Sequence, residues 1–363
     1  MGIFEHVEFS NHEQVIVCSN ADSGLKSIIA IHDTTLGPAA GGCRLYPYPD
    51  TDSAMTDVLR LSKAMTYKNA LAGLPLGGGK SVIICDPSQK TPALLAAFAR
   101  FVRGLGGTYW TAEDINIGPA DAEILAGYSQ YVFGLTHGGV GSGDPSPFTA
   151  GGCLEGMRAA LQHVFGTDTL TGRHFAIQGV GNVGYALAKL IAAGGGKLTV
   201  ADPSPARIAR VQRDFGVRVV PVEDIYSVKC DVFAPCAMGG TINSHTIPHL
   251  DTKIVCGVAN NQLGAPRDGA DLLARNITYA PDYVVNAGGM HNASADIFGR
   301  YDVDDIWRRI RGIRDITSRL LDEAAREERP TSEIADALAR EIIARGQERK
   351  RAKSGTRIET PSI

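Results

Sequence analysis

The chain has 363 residues, of which 44% are hydrophobic and 21% charged, and its formal net charge is −3. This length favours two folded domains, and the composition excludes a disordered chain, which combines low hydrophobicity with a strong net charge. The 42 glycines are about 12% of the residues, against about 7% in average proteins, and predict many tight turns and close backbone approaches. Only the segment Arg345–Arg357 has a basic surplus, so nucleic-acid binding is not favoured.

The seven cysteines lie far apart and form no C-x-x-C pair. Their spacing supports neither a disulfide framework nor a zinc knuckle, so we expect no metal. The N-terminus lacks the basic and apolar regions of a signal peptide, and no apolar run approaches the roughly 18 residues of a membrane helix. We therefore expect a soluble, cytoplasmic protein with no nucleic-acid or membrane partner.

The first half of the chain alternates apolar runs of strand length with segments whose apolar residues fall on one helical face. We predict strands over Leu25–His32, Ser81–Cys85, Thr108–Thr111 and Tyr131–Gly134, and helices over Asp50–Ala70, Pro92–Leu105 and Ala120–Ser129. A segment rich in glycine, serine and proline follows at residues 137–148 and predicts a hinge.

The second half is a series of strands separated by helices, which is typical of a parallel sheet with right-handed crossovers. The predicted helices are Thr149–Phe165, with Thr149 as its cap, Asn182–Ala193, Ser204–Phe215, Val303–Glu327 and, after a break at Pro330, Ser332–Arg345. The predicted strands are Phe175–Gln178, Lys197–Ala201, Val217–Val220, Val232–Ala234, Ile254–Val258 and Ile277–Tyr279.

A glycine motif stands between the first predicted strand of this series and the helix after it. Its glycines permit a tight turn, close approach of a pyrophosphate and close helix–strand packing, and the helix N-terminus offers free N–H groups. The motif is Gly179-Val180-Gly181-Asn182-Val183-Gly184.

Asp202 ends the next predicted strand, 18 residues after Gly184. A carboxylate there accepts hydrogen bonds from ribose hydroxyls and repels a 2′-phosphate, so the pattern favours NAD over NADP. Two observations keep alternatives open. Asp202 on its own would be interpreted as a turn residue before Pro203, and Arg207 is a cation that could accept a phosphate.

Two lysines form the other informative pattern. Lys68 falls at the end of a predicted helix, and Lys80 follows the three glycines Gly77–Gly79 at the start of a strand. Two ammonium groups held close together, one of them partly desolvated, disfavour double protonation, so one pKa falls toward neutrality and yields a general base. The alternatives are a surface lysine and a phosphate loop. A Walker loop is incomplete, because Leu74 stands where its first glycine belongs.

A set of motifs spans nearly the whole chain in the order in which the glutamate/leucine/phenylalanine/valine dehydrogenase family has them. The chain resembles that family, and its likeness is greater to the branched-chain and aromatic members (leucine, phenylalanine and tryptophan dehydrogenases) than to glutamate dehydrogenase. The motifs are Ile31–Pro38, Met65–Lys68, Gly77–Lys80, Thr111–Asp114, Gly179–Gly184, Ala234–Ala237, Ala259–Gln262, Ala280–Tyr283 and Asn286–Gly289.

The resemblance implies the layout of an α/β protein with a cleft between two domains, and it implies a homo-oligomer. Residues 1–136 would form an α/β substrate and catalytic domain, and 137–148 a hinge. Residues 149–325 would form a Rossmann-type, doubly wound NAD-binding domain. Residues 326–345 would be a helix that returns to the first domain, and 346–363 a basic, disordered tail.

The implied reaction is reversible oxidative deamination of an L-amino acid to a 2-oxo acid, ammonia and NADH. Lys68 would hold the substrate α-carboxylate, Lys80 would be the base that activates water, and Asp114 would assist proton transfer at the amino group. Gly41, Met65 and Asn261 would contact the substrate. The cofactor would be held by the glycine motif together with Thr149, Asp202, Arg207, Ala237, Asn260 and Asn286.

Three positions bear on the substrate side chain. Glutamate enzymes have a lysine at the position of Ala40, which here offers no charge, so a dicarboxylate would leave an unpaired anion. Leucine-type members tend to have Leu, Thr and Val at the positions of Ala40, Phe133 and Ala293, whereas phenylalanine-type members share Ala40 and Phe133. The alternative interpretation of Phe133 is a residue that only packs the core beside Val132. We therefore expect a bulky apolar or aromatic substrate, with phenylalanine favoured and leucine, valine and tryptophan as alternatives.

Two neighbouring residues, His291 and Asn292, depart from the usual apolar continuation of the family and leave an indole or a hydroxylated ring open as substrate side chains. Two other functions were weighed. A 2-hydroxy-acid dehydrogenase would need a catalytic histidine–carboxylate pair, which no histidine here suggests. A non-catalytic NAD-binding module would lack the lysine pair, which is present.

Overall fold

The computed structural model describes residues 2–136 and 143–355, with side chains up to residue 352. The described residues divide into two compact units. The first unit takes 2–136, 143, 293–301 and 338–355, and the second takes 144–292 and 302–337. Among the helices of the described ranges, none has the length and apolarity needed to cross a bilayer.

The first unit contains a six-stranded mixed sheet with helices on its faces. Its strands are β1 Gln14–Asn20, β2 Leu25–Asp33, β3 Ala39–Ala40, β4 Cys43–Tyr46, β5 Gly77–Ile84 and β6 Tyr109–Trp110. Its helices are α1 Thr51–Leu71, α2 Pro92–Gly104 and α3 Pro119–Ala126.

The sheet of the first unit has the order β1-β2-β5-β3-β6, and β4 also pairs with β5. The strands β1, β2 and β5 pair antiparallel, whereas β3 and β4 run parallel to β5. Successive residues of a strand point to opposite faces of the sheet, and both faces of β2 are buried. Ile28 and Ala30 pack with α1 residues such as Val58, while Ile29 and Ile31 belong to the core that includes Phe98 of α2.

The second unit contains a six-stranded parallel sheet. Its strands are β7 His174–Gln178, β8 Lys197–Ala201, β9 Arg218–Val219, β10 Val232–Pro235, β11 Ile254–Val255 and β12 Thr278–Tyr279. Its helices are α4 Ser146–Phe165, α5 Asn182–Ala193, α6 Pro205–Phe215, α7 Asp268–Ala274, α8 Asp282–Val285 and α10 Val303–Glu327. Two further helices, α9 Gly288–Phe298 and α11 Thr331–Gly355, contribute residues to both units.

The strand order of the second sheet is β12-β11-β10-β7-β8-β9, and all neighbours pair parallel. Numbered within the unit, this is the order 3-2-1-4-5-6 of a Rossmann fold, whose order reverses between β7 and β10. Ligands of such sheets bind beyond the carboxyl ends of the strands at this reversal, which is where the chain leaves β7 for the Gly179–Gly184 turn. The predicted α/β fold with a doubly wound second domain is confirmed.

Several predicted element bounds are wrong. Helix α4 begins at Ser146, so Thr149 lies inside it rather than at its cap, and the predicted hinge overlaps the helix. Residues 137–142 of the predicted hinge lie outside the described residues. Val132 makes a single bridge to Thr111 instead of the strand predicted there. Helix α11 continues to Gly355, so it includes part of the predicted tail, and 356–363 lie outside the described residues.

All seven cysteines are free thiols. Five are buried, and Cys85 and Cys236 are partly exposed. Burial raises the pKa of every thiol for which a shift is resolved, to about 12 for Cys43 and Cys236. The thiols therefore behave mainly as small apolar groups in the two cores.

Candidate active site

The three glycines before Lys80 lie in strand β5, which begins at Gly77, four residues before the predicted start at Ser81. They allow close packing. A Cβ on Gly78 would lie 2.1 Å from the backbone N of Thr66 in α1, and one on Gly79 would lie 2.7 Å from the ring of Tyr109. The side-chain amide of Asn69 in α1 also donates to the carbonyl of Gly77, at 2.6 Å. Helix α1, which carries Lys68, therefore packs directly on the strand that carries Lys80.

Lys80 is buried in the first unit, with 7% of its side chain exposed, and its ammonium group contacts Asp114. Burial, followed by the positive charge of Arg44, lowers the pKa of Lys80 to about 7, and Lys68 acts in the same direction. The contact with Asp114 favours the protonated form, so both protonation states are accessible near neutral pH. A lysine of this kind can accept and return a proton.

Asp114 stands at the start of a tight turn. Its backbone N–H donates to the carbonyl of Ile117, and the N–H of Ile117 donates back, at 3.2 and 3.0 Å. Within the turn, Asn116 adopts a left-handed conformation with φ 59°, which asparagine adopts more often than most residues. Its amide donates to the carbonyl of Leu45 in β4 at 2.9 Å, and Lys90 donates to its carbonyl at 2.9 Å. The carboxylate of Asp114 is therefore placed by a turn fastened to β4.

A cavity of about 470 Å³ opens beside this turn. Most of the residues that line it are polar or charged, and Asp114 is one of them. The lining residues are Pro87, Lys90, Glu113, Asp114, Asn116, Ile117, Gly118 and Asp121.

The first unit also brings together the residues expected to hold the substrate. Lys68 is half-buried and close enough to Lys80 to influence its pKa. A Cβ on Gly41 would lie 3.1 Å from Cγ of Met65, so these two residues are neighbours. Ala40, the residue before Gly41, is fully buried in β3.

Phe133 and Ala293 lie in the same unit. The N–H of Phe133 donates to the carbonyl of Thr111 at 2.9 Å, and its ring is 2% exposed. A Cβ on the next residue, Gly134, would lie 3.6 Å from Cβ of Ala293. The N–H of Gly134 also donates to Asp296 of α9 at 2.8 Å, which ties the Phe133 segment to the helix that carries Ala293.

In the second unit, the glycine motif forms the turn between β7 and α5. Gly179 has φ +93°, a conformation that a side chain would strain, and a Cβ on Gly184 would lie 2.1 Å from the carbonyl oxygen of Gly179. A Cβ on Gly181 would meet no heavy atom within 4 Å. Gly181 is also the N-cap of α5 and provides no side-chain cap. Open space therefore faces the N-terminus of α5, as a bound phosphate requires.

Asp202 has a buried carboxylate, 2% exposed. It accepts hydrogen bonds from the N–H of Val180 at 2.9 Å and of Ser204 at 2.8 Å, and Arg207 lies 3.7 Å away. The hydrogen bond from Ser204 fits the alternative interpretation of Asp202 as a turn residue. The bond to Val180 joins the carboxylate to the glycine motif, which a turn residue alone would not do.

Three asparagines expected at the site lie in the second unit. The side chain of Asn286, which is 4% exposed, donates to that of Asn260 at 2.8 Å. Asn261 is exposed and left-handed, with φ 52°, and its N–H donates to Asp282 at 2.8 Å. Asp282 in turn accepts a 2.6 Å bond from the hydroxyl of Tyr279. Asp282 therefore fixes the unusual backbone of Asn261.

The remaining expected residues also lie in this unit. Ala237 packs on the glycine motif, because a Cβ on Gly179 would lie 2.8 Å from that of Ala237. The hydroxyl of Thr149 donates to the carbonyl of Pro145, the N-cap residue of α4, at 3.1 Å. His291 and Asn292 are buried, and burial lowers the pKa of His291 to about 4, so its imidazole is neutral. Within the described residues, no three His, Cys, Asp or Glu side chains are grouped as a metal ion would need.

Sequence reasoning missed Arg44, Asp57 and Asp282. Arg44 Nη1 is 2.9 Å from Asp57, and Arg44 Nε is 3.5 Å from Asp114. We call Lys80, Asp114, Arg44, Asp57 and Lys68 the Lys80 cluster. Motif Ala280–Tyr283 contains Asp282, but nothing in the sequence shows that it bonds to Asn261.

Comparisons with known proteins agree with this geometry. Residues 12–131 match the model of the Glu/Leu/Phe/Val dehydrogenase dimerisation domain, and residues 204–345 match that of the Glutamate/Leucine/Phenylalanine/Valine dehydrogenase domain. The chain is 47% identical to a leucine dehydrogenase of Geobacillus stearothermophilus, with 94% of each chain covered. It is 44% identical to a phenylalanine dehydrogenase of Caldalkalibacillus thermarum, over 96% of this chain and 94% of that protein.

A solved structure is similar over the same extent. The crystal structure of L-tryptophan dehydrogenase from Nostoc punctiforme has a TM-score of 0.84 and 40% identity, and covers 95% of this chain and 99% of that one. The first matched model covers the region that contains Lys80, and the second begins two residues after Asp202. The chain belongs to the glutamate/leucine/phenylalanine/valine dehydrogenase family and is an amino-acid dehydrogenase, an oxidoreductase.

Proposed function

We propose that this amino-acid dehydrogenase uses NAD to deaminate a bulky apolar L-amino acid reversibly, with phenylalanine as the favoured substrate. The products are the 2-oxo acid, ammonia and NADH. The observation that carries the proposal is the buried contact between Lys80 and Asp114, with the pKa of Lys80 lowered to about 7. Oxidative deamination needs a group that can take a proton from water at neutral pH, and this lysine meets that need.

Three charged side chains of the first unit have distinct roles in this proposal. Lys68 holds the substrate α-carboxylate as a cation on α1. Lys80 takes a proton from the water that adds to the iminium carbon of the substrate. Asp114, in contact with Lys80, passes protons to and from the substrate nitrogen. The positive charges of Lys68 and Lys80 also stabilise negative charge that develops on the substrate.

The second unit offers the features that a dinucleotide requires. The open space at Gly181 and the uncapped N-terminus of α5 fit a pyrophosphate, and Asp202 beside Val180 fits an adenosine ribose. Thr149, Ala237, Asn260 and Asn286 of the same unit would also hold the cofactor. When bound, NAD supplies the acceptor for the hydride that leaves Cα.

Phenylalanine is favoured by the size of three side chains in the first unit. Ala40 and Ala293 are small, and Phe133 offers an aromatic ring, which pairs well with a second ring in offset or edge contact. Ala40 also lacks the charge that a dicarboxylate substrate would need. Leucine is the second candidate, because a leucine dehydrogenase is 47% identical to this chain over 94% of its length.

The test is NADH consumption with 2-oxo acids, with and without ammonium. The panel contains phenylpyruvate, 4-methyl-2-oxopentanoate, 3-methyl-2-oxobutanoate, hydroxyphenylpyruvate and indolepyruvate. We expect kcat/KM to be highest with phenylpyruvate and to depend on ammonium. A maximum with 4-methyl-2-oxopentanoate would make the protein a leucine dehydrogenase, and turnover without ammonium would contradict the proposed reaction.

A paired variant tests the pocket. Ala293→Val restores the residue of leucine-type members at a half-exposed position, so it narrows the site with little expected cost to folding. We expect it to lower the preference for phenylpyruvate over 4-methyl-2-oxopentanoate. Ala295→Val, at a buried position two residues away on the same helix, is the control and leaves that preference unchanged.

We also propose that the protein works as a homo-oligomer. Its residues 12–131 match a family model described as a dimerisation domain. In the first unit, β1 is an edge strand of the sheet, and Val17 on it is 70% exposed. Sedimentation at micromolar concentration tests this proposal, and a monomer would contradict it.

A further inference from the structure

Arg44 lies between two carboxylates in the first unit and has no role in the mechanism above. It is the second residue of β4, opposite Val82 of β5, two positions beyond Lys80 on that strand. Only 18% of its side chain is exposed. A guanidinium group so poorly hydrated is stable only when anions compensate it.

Asp57 of α1 is the first of these anions. Both of its oxygens accept from Nη1 of Arg44, at 2.9 and 3.2 Å. The hydroxyl of Tyr48 donates to one of the same oxygens. Both oxygens of Asp57 therefore accept hydrogen bonds, and this carboxylate binds the guanidinium group from the side of α1.

Asp114 is the second anion, and its two oxygens face different cations. Oδ2 contacts Lys80, whereas Oδ1 lies 3.5 Å from Nε of Arg44 and accepts from the N–H of Ile115. Nε of Arg44 is buried and donates no hydrogen bond within the described residues. A small movement of the Asp114 carboxylate would convert this ion pair into a hydrogen bond.

We propose that Arg44 is a positioning residue of this dehydrogenase: held by Asp57, its guanidinium group anchors the Asp114 carboxylate and sets the electrostatic environment of Lys80. The inference rests on the proposed roles of Lys80 and Asp114. Lys80 must change charge during turnover, and each time it loses its proton Asp114 loses a cation. Arg44 is charged throughout, because a guanidinium group does not deprotonate in proteins. Asp114 thus keeps a counter-ion in both states of Lys80.

The surroundings of Lys80 give Arg44 and Asp57 opposite effects on its titration. The titratable and charged groups that act on it are Cys43 and Arg44 of β4, Asp57 and Lys68 of α1, and Asp114 of the turn after β6. After burial, Arg44 has the largest effect on the pKa of Lys80 and lowers it, whereas Asp57 raises it. Removing Arg44 should therefore raise this pKa, and removing the charge of Asp57 should lower it.

The experiment compares Arg44→Gln, Arg44→Lys and Asp57→Asn with the wild type. Arg60→Gln is the matched control, because Arg60 is an exposed α1 residue, 64% accessible, whose partner is Glu8. The pKa of Lys80 is measured on the free protein by NMR of lysine labelled with ¹³C at Cε, and Lys80→Met assigns the signal. The pH profile of kcat for deamination is measured in parallel, and thermal melting checks that each variant folds.

We expect Arg44→Gln to raise the Lys80 pKa by about one unit and to lower kcat at pH 7 about fivefold, because the deprotonated fraction of Lys80 falls from about 0.5 to about 0.1. In Arg44→Lys, the pKa of Lys80 should stay close to the wild-type value, because the positive charge is kept. The kcat should still fall, because an ammonium group lacks the planar set of N–H donors by which a guanidinium group joins both carboxylates. Asp57→Asn should shift the pKa downward, and Arg60→Gln should leave it unchanged. A structural loss alone would not move the pKa in opposite directions.

Two results would overturn the proposal: no shift in Arg44→Gln, or shifts of the same sign in Arg44→Gln and Asp57→Asn. If Arg44→Gln does not fold, Arg44→Lys and Asp57→Asn decide, and an unchanged pKa in Asp57→Asn overturns the proposal. The NMR titration needs no turnover. A failure of the proposed function, seen as normal kcat in Lys80→Met, is therefore distinguishable from a failure of the role of Arg44.

Discussion

The first unit places charged side chains in a buried setting around Lys80, whereas the second unit presents mainly backbone groups around its glycine motif. In the Lys80 cluster, Asp114 contacts both Lys80 and Arg44, Arg44 also pairs with Asp57, and burial together with the charges of Arg44 and Lys68 lowers the pKa of Lys80. At Gly179–Gly184 the important features are the N–H groups of α5 and the absence of Cβ atoms. The comparison predicts that substitutions in the first unit alter the chemical step and its pH dependence, while those in the second alter cofactor affinity.

The largest effect is expected from Lys80→Ala. Because Lys80 is the proposed base, kcat for deamination should fall by about 10²–10⁴-fold. In the wild type, Lys80 is protonated and inactive as a base below its pKa of about 7, so kcat should rise as the pH passes through this value. Lys80→Ala should flatten that rise. Steady-state kinetics between pH 5.5 and 9, a range chosen around that pKa, measure both effects.

Lys26→Ala is the control for this variant, because Lys26 is an exposed lysine on β2 of the same sheet. It should behave as the wild type. Near-normal kcat in Lys80→Ala, with the rise intact, would show that Lys80 is not the base. Asp114 would then be the next candidate.

Lys68→Ala tests the second charge of the cluster. Loss of a charged partner for the substrate carboxylate costs about 1.5–3 kcal/mol, so KM for the amino acid should increase about ten- to a hundredfold. KM for NAD should stay within about twofold of the wild type, since Lys68 belongs to the first unit and the glycine motif to the second. Equal increases in both KM values would argue against a carboxylate contact.

Gly181→Ala tests the backbone site of the second unit. A Cβ there meets no protein atom within 4 Å, so the melting temperature should not change. The new methyl group would occupy the space proposed for the pyrophosphate, and KM for NAD should increase about tenfold, or about 1.4 kcal/mol.

Gly184→Ala is the contrasting variant, because its Cβ would lie 2.1 Å from the carbonyl of Gly179. It should lower the melting temperature as well as cofactor affinity. If Gly181→Ala left KM for NAD unchanged, the dinucleotide would not approach the N-terminus of α5.

The smallest effect is expected from Asp202→Ser, because this substitution removes the anion that we propose lies beside the adenosine ribose and repels a 2′-phosphate. The ratio of kcat/KM with NADP to that with NAD should increase a few-fold. Serine is chosen because its hydroxyl oxygen can still accept the hydrogen bond from the N–H of Ser204. The ratio is measured with both cofactors at saturating amino acid, and an unchanged value would leave Asp202 only the turn role.

Local patterns predicted much of the second unit. Strands β7 and β8, helices α5 and α10 and the glycine turn follow from apolar runs and the spacing of three glycines. Thr149 was wrongly predicted to cap the first helix of this unit. The helix begins earlier, at Ser146, and Pro147 lies in its first turn, where a proline is well tolerated. A cap can be assigned from sequence only when the helix start is known.

The Lys80 cluster was predicted only in part. The sequence indicates Lys68, Lys80 and Asp114, but the glycines before Lys80 are typical of turns, and only the packing of α1 on β5 explains them within a strand. Arg44 is linked to residues 13 and 70 positions away along the chain. Such ion pairs depend on the register of β4 against β5, which the sequence does not show.

The free thiols make the native protein suited to selective labelling. Among the seven cysteines, Cys85 combines partial exposure with the least burial of any thiol whose pKa is raised. A thiol-reactive fluorophore under native conditions should therefore attach first at the end of β5, and the other six thiols should react after denaturation. A dye at Cys85, five residues along the chain from Lys80, would label the first unit without an introduced cysteine.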